Sequence, residues 1–430
     1  MGAHSEADLA KKAARRVVPL LAALYFVSFL DRVNVGFGAL SMNADLGLTP
    51  TTYGIGAGIF FVGYTAFAVP ANFILRRIGA SRWIATIAIA WGCVSLCMAL
   101  VRTPMQFYAV RLLLGVAESG FLPGVILYLT TRFPRDVQGR VVANFFVAVP
   151  LSSVLGAPLS GVLLESHVMG LHGWQLMFII EALPAIGLGL MALRHLPDSP
   201  HDASSLDQKP GGPLACGMRD GAQAVAVHSW QGLLSAPVWG LGLVYFLIVI
   251  ALYGFTFWAP QIFLAAAELT PREIGVLTAI PYLGASVAMI VWSRHSDRRA
   301  ERVWHLALPC ALGALGFVLA GQVRGLPGIT MAFLLATSGV YAACAVFWTL
   351  PRTFLGAAVA TGIALLNAMG NTAGYLGPFM MGWLKMSTGG YVAGIRVMAA
   401  SMVAAAALAL TVGLWIERRG QQRGRSPAAR

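Results

Sequence analysis

Long apolar stretches, separated by short polar or basic breaks, run along the whole chain of 430 residues. An α-helix needs about 20 mostly apolar residues to cross the hydrocarbon core of a bilayer. The stretches are continuous and do not alternate between apolar and polar residues, so they predict helices and not a membrane barrel. Twelve stretches reach this length, and they predict transmembrane helices near residues 17–38, 53–75, 83–101, 105–131, 141–164, 174–193, 236–262, 273–293, 303–323, 328–350, 355–384 and 391–416.

The composition agrees with a chain surrounded by lipid. Apolar residues make up 58% and charged residues 11%, against about 45–50% and about 25% in a soluble domain. Too little charge is available to cover a surface in water, which excludes a soluble enzyme, a disordered chain and a nucleic-acid-binding domain. The five cysteines are odd in number and lack metal-ligand spacing, so they are interpreted as small buried side chains. No metal or cofactor is predicted.

The net charge of +13 is an orientation signal. Loops on alternate sides of the predicted spans divide the basic residues unevenly, and 23 of the 30 fall on the side that carries both termini. Lys and Arg collect on the cytoplasmic side of membrane proteins. We therefore expect a multi-pass protein of the cell (inner) membrane with both termini in the cytoplasm.

The longest polar stretch, 194–235, is rich in Pro and Gly and predicts a cytoplasmic linker. It separates six spans in residues 1–193 from six spans in residues 236–416, and residues 417–430 follow as a cytoplasmic tail. Basic hairpin loops recur at matching positions of the two halves, and such repeats place a substrate site between them at mid-depth. One chain contains both halves, so we expect a functional monomer.

Five ionisable residues fall inside the predicted spans, where a central charge costs about 2.5–3.5 kcal/mol on insertion scales. Such residues face a cavity and carry function, or form a buried ion pair. They are Asp31, Arg32, Arg111, Glu118 and Glu181.

Adjacent helical side chains point about 100° apart, so Asp31 and Arg32 each need a partner elsewhere. The planar fork of Arg32 matches a carboxylate and predicts an anionic substrate. Asp31 and Glu118 are candidate proton carriers, because a poorly hydrated cavity favours a neutral carboxyl. Arg111 contributes to the anion site, or only pairs with a helix end or a carboxylate near the outer surface. A structural role is favoured for Glu181, through a basic partner or a turn near Pro184.

Uncharged polar candidates cluster in the second half. An Asn pair one turn apart on a helix can bind a hydroxy acid, although hydrogen bonding to a neighbouring helix is the more common role of a single Asn. The candidates for substrate binding are Tyr253, Trp258, Gln261, Trp348, Asn367 and Asn371.

The chain resembles the major facilitator superfamily of transporters, and within it the bacterial anion:cation symporters such as tartrate, phthalate and hexonate permeases. Six segments in order along the chain carry the resemblance: FLDRVNVGFGAL (29–40), RLLLGVAESGFLPGVILYLTTRFP (111–134), GAPLSGVLL (156–164), FIIEALPA (178–185), LPDSP (196–200) and IALLNAMGNTAGYLGP (363–378).

The resemblance implies a fold of two six-helix bundles and proton-coupled uptake of organic anions by alternating access. It assigns Asp31 and Glu118 to the proton, and Arg32 and Arg111 to the substrate. It also implies cytoplasmic gating loops in two basic segments, at Asn72, Arg76, Arg77, Asp297 and Arg298.

Three features depart from the family pattern. Asn72 stands where an acidic residue is often found. Phe29 stands where a tyrosine often precedes the Asp-Arg pair, so a hydroxyl donor is missing from the predicted substrate site and a less hydroxylated or aromatic acid is favoured. The segment 201–212 replaces a usual linker helix.

The leading hypothesis is a symporter of protons and a small mono- or dicarboxylate, such as tartrate, phthalate, a sugar acid or an aromatic acid. An alternative is a proton-coupled drug exporter or sugar permease, which would not need the arginines. A membrane enzyme or sensor is the alternative from another class, and the absence of clustered His, Asp or Glu argues against it.

Overall fold

The computed structural model describes residues 3–133, 145, 148–166, 168, 170–196, 236–299, 301–351 and 359–424. Most of the predicted linker, from position 197 to 235 and including the atypical segment 201–212, lies outside the described residues. So does the end of the predicted tail, from position 425 onward.

The described residues are almost entirely α-helical. In chain order the helices are α1 (Ala3–Asp45), α2 (Pro50–Ile78), α3 (Ala80–Cys97), α4 (Pro104–Glu118), α5 (Phe121–Arg132), α6 (Ala148–Leu164), α7 (Gly173–His195), α8 (Ala236–Ala266), α9 (Pro271–Arg299), α10 (Val303–Ala320), α11 (Leu326–Phe347), α12 (Val359–Thr388) and α13 (Val392–Gly424). A single 3₁₀ turn, Met98–Leu100, follows α3.

Each of the twelve predicted spans coincides with one of these helices, except the fourth, which coincides with α4 and α5 together. Ten helical segments in the described part of the chain are long and apolar enough to cross a membrane. Of the fifth span the structure describes α6, an apolar helix of 17 residues, and of the eleventh α12, of 30 residues. Positions 141–144, 146–147 and 355–358 of these predicted spans lie outside the described residues. The prediction of an all-α integral membrane protein is confirmed, whereas the side on which the termini lie stays a prediction.

The helices continue beyond the apolar stretches that predict them. α2 continues to Ile78 and α9 to Arg299, into segments predicted as loops at 76–82 and 294–302. The loop prediction was wrong for the positions that helices occupy and holds for Gly79, Glu301 and Arg302. Basic residues in the last turn of each helix interact favourably with the helix dipole. Gly79, with φ of +85°, is the whole connection between α2 and α3, in a conformation that favours glycine.

The fourth span is broken after Glu118, the last residue of α4. Pro123, in the first turn of α5, has no N–H to continue the helical ladder. Trp83 of α3 fits against the break: its Nε1 donates to the carbonyl oxygen of Gly120 at 2.9 Å. A Cβ at Gly120 would lie 2.4 Å from the indole ring, so only glycine fits. The break places the Glu118 carboxyl at a helix end.

Packing divides the described residues into two compact units. The first contains the residues up to Leu196 together with Ala259–Ala279, and the second contains Ala236–Trp258 and the residues from Ile280 onward. The segment Ala259–Ala279 joins the first unit where α6 and α9 meet closely: a Cβ at Gly161 would lie 2.4 Å from the Pro271 carbonyl oxygen. The predicted domains, with boundaries at 193 and 236, are continuous stretches of sequence, and these boundaries stay a prediction.

Small residues bring the helices of the first unit together. α2 packs on α4, α3 on α7, and α1 on both α6 and α7. Gly115 of α4 is the closest approach among them, because a Cβ there would lie 1.9 Å from the Phe60 carbonyl oxygen of α2. In the second unit α10 packs on α11 and α13. The first unit therefore encloses the predicted span charges of α1, α4 and α7.

Candidate functional site

An ion pair between α1 and α4 is the centre of the candidate site. Arg32 Nη2 lies 3.1 Å from Glu118 Oε2, and the side chains are 13% and 2% exposed. Ser28, one turn before Arg32 on α1, donates its hydroxyl to the other carboxylate oxygen, Oε1. Both oxygens of Glu118 are therefore engaged in a dry environment, where a charge without a partner is costly.

Aromatic rings surround the Arg32 guanidinium. Its Cζ lies 4.5 Å from the centroid of the Phe29 ring, 5.3 Å from Phe60 and 6.0 Å from Tyr64. Cation–π contact of this kind holds a guanidinium without an opposite charge. Phe29, predicted as part of the substrate site, is thus placed against the predicted anion clamp.

Asp31 is buried on another side of α1. Its Oδ1 accepts hydrogen bonds from Ser95 of α3 at 2.9 Å and from Asn34 at 3.3 Å. Among the described residues no donor reaches its second oxygen, Oδ2, although the residue is 2% exposed. Asp31 and Arg32 have separate partners on different helices, as their angular separation on α1 predicts.

Arg111 is fully buried and donates to backbone carbonyls of α2. Nη2 lies 3.1 Å from the Ala57 carbonyl oxygen and Nε 3.4 Å from that of Gly56. Its Cζ is 5.1 Å from the Phe60 centroid, so Phe60 lies close to both guanidiniums. Arg111 also interacts electrostatically with Asp31 and Glu118. These contacts tie α4 to α2, and the predicted substrate role of Arg111 stays a prediction.

Glu181 of α7 is 1% exposed. Its Oε1 accepts a hydrogen bond from the Ser160 hydroxyl of α6 at 2.7 Å, and Asn34 and Asp31 of α1 also interact with the carboxyl. The expected ion pair with a basic residue is not formed among the described residues.

The predicted residues of the second half fall in both units. Gln261 belongs to the first unit, where its Oε1 accepts from Asn43 Nδ2 at 3.4 Å. The other candidates lie in the second unit. Tyr253 and Asn371 are half-buried, Asn367 is exposed, and Trp348 meets Tyr245 edge to face with centroids 5.1 Å apart.

Lys385 lies close to the rings of both Trp258 and Tyr391. Trp258 is fully buried and donates Nε1 to the Pro378 carbonyl oxygen at 3.1 Å. Lys385 Nζ lies 5.6 Å from the Trp258 centroid and 4.3 Å from that of Tyr391, and it donates to the Tyr391 hydroxyl. These contacts tie Trp258 to α12, and its predicted role in substrate binding stays a prediction.

The first predicted gating segment forms the end of α2. Asn72 Nδ2 donates to the Ala68 carbonyl oxygen one turn earlier at 2.9 Å. Arg76 and Arg77 are exposed in the last turn. The gating role of these residues stays a prediction.

The second gating segment joins α9 to α10. Asp297 pairs with Arg302 at 2.8 Å, and Arg298 is exposed. Beside them, His305 Nδ1 lies 2.5 Å from Glu301 Oε2. Partial burial raises the pKa of Glu301, but hydrogen bonds from His305 and from backbone N–H groups of α10 outweigh it and hold that pKa below its ordinary value.

Sequence patterns overlooked several residues that touch the buried charges. Ser28 and Asn34 lie three residues before and after Asp31, and this spacing on a helix face could have identified them. Ser95, Phe60 and Tyr64 reach the site from α3 and α2, and no local pattern brings them to notice. Within the described residues, no group of three or more His, Cys, Asp or Glu side chains is arranged to hold a metal ion.

Comparison with known proteins places this arrangement in a family. The model of the Major Facilitator Superfamily matches residues 21–378. A protein of Agrobacterium vitis named "Putative tartrate transporter" is 44% identical over 96% of each chain. The "Quinolone resistance transporter" of Acinetobacter baumannii is 36% identical over 97% of this chain and 98% of its own.

A solved structure shares the fold. The crystal structure of a bacterial homolog of the human lysosomal transporter Spinster, inward-facing and unoccupied, superposes with a TM-score of 0.75 at 15% identity, over 94% of this chain and 96% of the other. The match to the family model and the full-length relatives show that the chain belongs to the Major Facilitator Superfamily and is a multi-pass membrane transporter, not an enzyme.

Proposed function

We propose that the protein takes up a small organic anion together with protons, by alternating access, across the bacterial inner membrane. The substrate is a mono- or dicarboxylate, the protein works as a monomer, and both termini face the cytoplasm. Relatives named for tartrate transport favour this substrate class.

The observation that carries the proposal is the Arg32–Glu118 pair. Of the two arginines in the site, Arg32 is the more exposed: its side chain is 13% exposed, whereas Arg111 is fully buried. A guanidinium suits a carboxylate because its parallel N–H groups match the two oxygens. A substrate carboxylate at Arg32 would have to replace Glu118 as its partner.

This competition gives a physical route to coupling. While Glu118 is ionised, it satisfies Arg32, and two carboxylates at one guanidinium would leave an uncompensated negative charge in a dry site. A proton on Glu118 removes that charge and frees Arg32 for the substrate. Anion binding and proton binding are then linked, and neither is favourable alone. Asp31, which also interacts with Glu118 and Arg111, supplies a second proton position.

Uptake into proteoliposomes with an inward proton gradient tests the proposal. A panel of tartrate, phthalate, sugar acids and aromatic acids should include at least one solute that accumulates. Arg32→Ala should abolish its accumulation, whereas Arg102→Ala, which removes the same charge from an exposed outer position, should not. If no acid accumulates, or if Arg32→Ala transports normally, the proposal is wrong.

Drug export is a second candidate because of the relative named for quinolone resistance. The same vesicles distinguish it: an exporter exchanges protons for solute, so loaded vesicles would lose the solute faster when the outside is acidic. Fluoroquinolone efflux of this kind, with no carboxylate uptake, would favour export.

A further inference from the structure

A cluster of buried polar side chains with two carboxyl groups lies next to the Arg32 site, among α1, α3, α6 and α7. Glu181 and Asp31 are 1% and 2% exposed, and Asn34 between them is fully buried. Glu181 interacts with both. The Ser95 hydroxyl approaches from α3 and the Ser160 hydroxyl from α6.

Hydrogen bonding within this group is short of donors. Asp31 Oδ2, Asn34 Oδ1 and Glu181 Oε2 are buried acceptors that receive no hydrogen bond from the described residues. Buried polar atoms in native proteins are almost always paired. Three acceptors that receive no hydrogen bond from the described residues therefore point to a proton or a small cation bound in this group.

The charges of the first unit lead to the same conclusion. Among its described span residues, three carboxyl groups and the Arg111 guanidinium are buried, and the Arg32 guanidinium is 13% exposed. Arg32 pairs with Glu118, and Arg111 interacts with Asp31 and Glu118. Around Glu181, the Ser160 hydroxyl and the Asn34 side chain are uncharged hydrogen-bonding groups, and the charged neighbour is Asp31, which has the same sign. An ionised carboxylate without a counter-charge is strongly disfavoured away from water, and the group takes up a proton instead.

We propose that Glu181 is a third proton-binding carboxyl, neutral at physiological pH and coupled to Asp31 through Asn34. Ser160 donates to Oε1, which places the proton on Oε2, and that O–H donates to one of the unpartnered oxygens of Asn34 and Asp31. Ionisation of either carboxyl raises the cost of ionising the other, and Asp31 transmits the effect to Glu118 and Arg111. The inference deepens the proposed symport and rests on it for its role in transport, but the protonation itself does not depend on a substrate.

Infrared spectroscopy of the purified full-length protein in lipid, without substrate, tests the proposal directly. A neutral buried carboxyl gives a C=O stretching band separate from carboxylate bands. At pH 7 the wild type should show such a band, Glu181→Gln should lose it, and Glu181→Asp should restore it. Asp31→Asn should move the pH at which the Glu181 band disappears to lower values, because without the like charge of Asp31 the Glu181 carboxyl ionises more easily.

A second variant keeps the test decisive if Glu181→Gln does not fold. Ser160→Ala removes the hydrogen bond to Oε1 and should shift the same band to higher frequency. Unchanged bands in Glu181→Gln or in Ser160→Ala would overturn the proposal. So would loss of the band on adding sodium chloride at constant pH, since the site would then bind a cation. Failure of the uptake panel would refute the proposed function and leave these spectra unaffected.

Discussion

At the scale of single residues, the site depends on which group satisfies Arg32. Glu118 pairs with Arg32 and accepts a hydrogen bond from Ser28, and the rings of Phe29, Phe60 and Tyr64 surround the guanidinium. A rigid fork with several donors can exchange one carboxylate for another without moving far, which a flexible ammonium cannot do as well.

Arg32→Lys should therefore keep the positive charge but lose the planar set of N–H donors that binds a carboxylate through two hydrogen bonds. Loss of one charge-assisted hydrogen bond costs about 1.5 kcal/mol or more, so affinity for the transported acid should fall roughly tenfold. Titration of the purified protein with that acid, followed by calorimetry, measures the change. Equal affinity in wild type and variant would show that a point charge suffices.

At the residue scale, sequence patterns describe only part of the site. Span charges identified Asp31, Arg32 and Glu118 because charge in a bilayer is costly wherever it occurs. Phe60 and Ser95 are ordinary residues of apolar helices, and only the packing of α2 and α3 brings them to the charges. For Glu181 the sequence favours a structural role, through a basic partner or a turn near Pro184. The described residues offer no basic partner, and the helices around it bring hydroxyl and amide groups.

At the scale of helices, close approach of α2 and α4 sets the position of Arg111 and Glu118. Gly115→Ala should destabilise the protein by about 1–3 kcal/mol, as overpacking does, because its Cβ would meet the Phe60 carbonyl oxygen at 1.9 Å. Gly187→Ala in α7 is the matched control, since a Cβ there meets nothing within 4 Å and alanine favours helix. Thermal unfolding in detergent compares the two, and equal melting temperatures would contradict the packing described.

The corner between α9 and α10 should respond to acid. Hydrogen bonds hold the pKa of Glu301 below its unfolded value, which is about 4.3. Its ionised form therefore stabilises the folded protein above that value, and the contribution is lost as the pH falls through the lower folded pKa. Glu301→Gln should lower the melting temperature at pH 7 and have a diminishing effect in acid. The exposed Glu268→Gln serves as a control, and a pH-independent difference for Glu301→Gln would contradict the prediction.

Helix positions follow from apolar length, so all twelve were predictable. Helix ends and breaks were not, because α2 and α9 continue through exposed basic residues. The break before α5 depends on Trp83 of α3, which is distant in sequence. Local composition contains neither effect.

At the scale of the whole molecule, the fold of the Major Facilitator Superfamily is established and its orientation is a prediction. The basic loops place Arg77 in the cytoplasm and Arg102 outside. Single cysteines at these exposed positions, in a background without the native cysteines, should react with an impermeant maleimide from opposite sides of the membrane. Labelling from the same side would contradict the predicted topology.

The central claim is that anion and proton move together because a proton on Glu118 frees Arg32 to bind the anion. The direct measurement is a pH-sensitive dye inside proteoliposomes, read while the transported acid is added outside at equal pH and zero potential. The account predicts acidification of the lumen for wild type. It predicts that Glu118→Gln exchanges labelled for unlabelled acid but acidifies far less. Solute entry without any acidification in wild type, or wild-type acidification in Glu118→Gln, would contradict it.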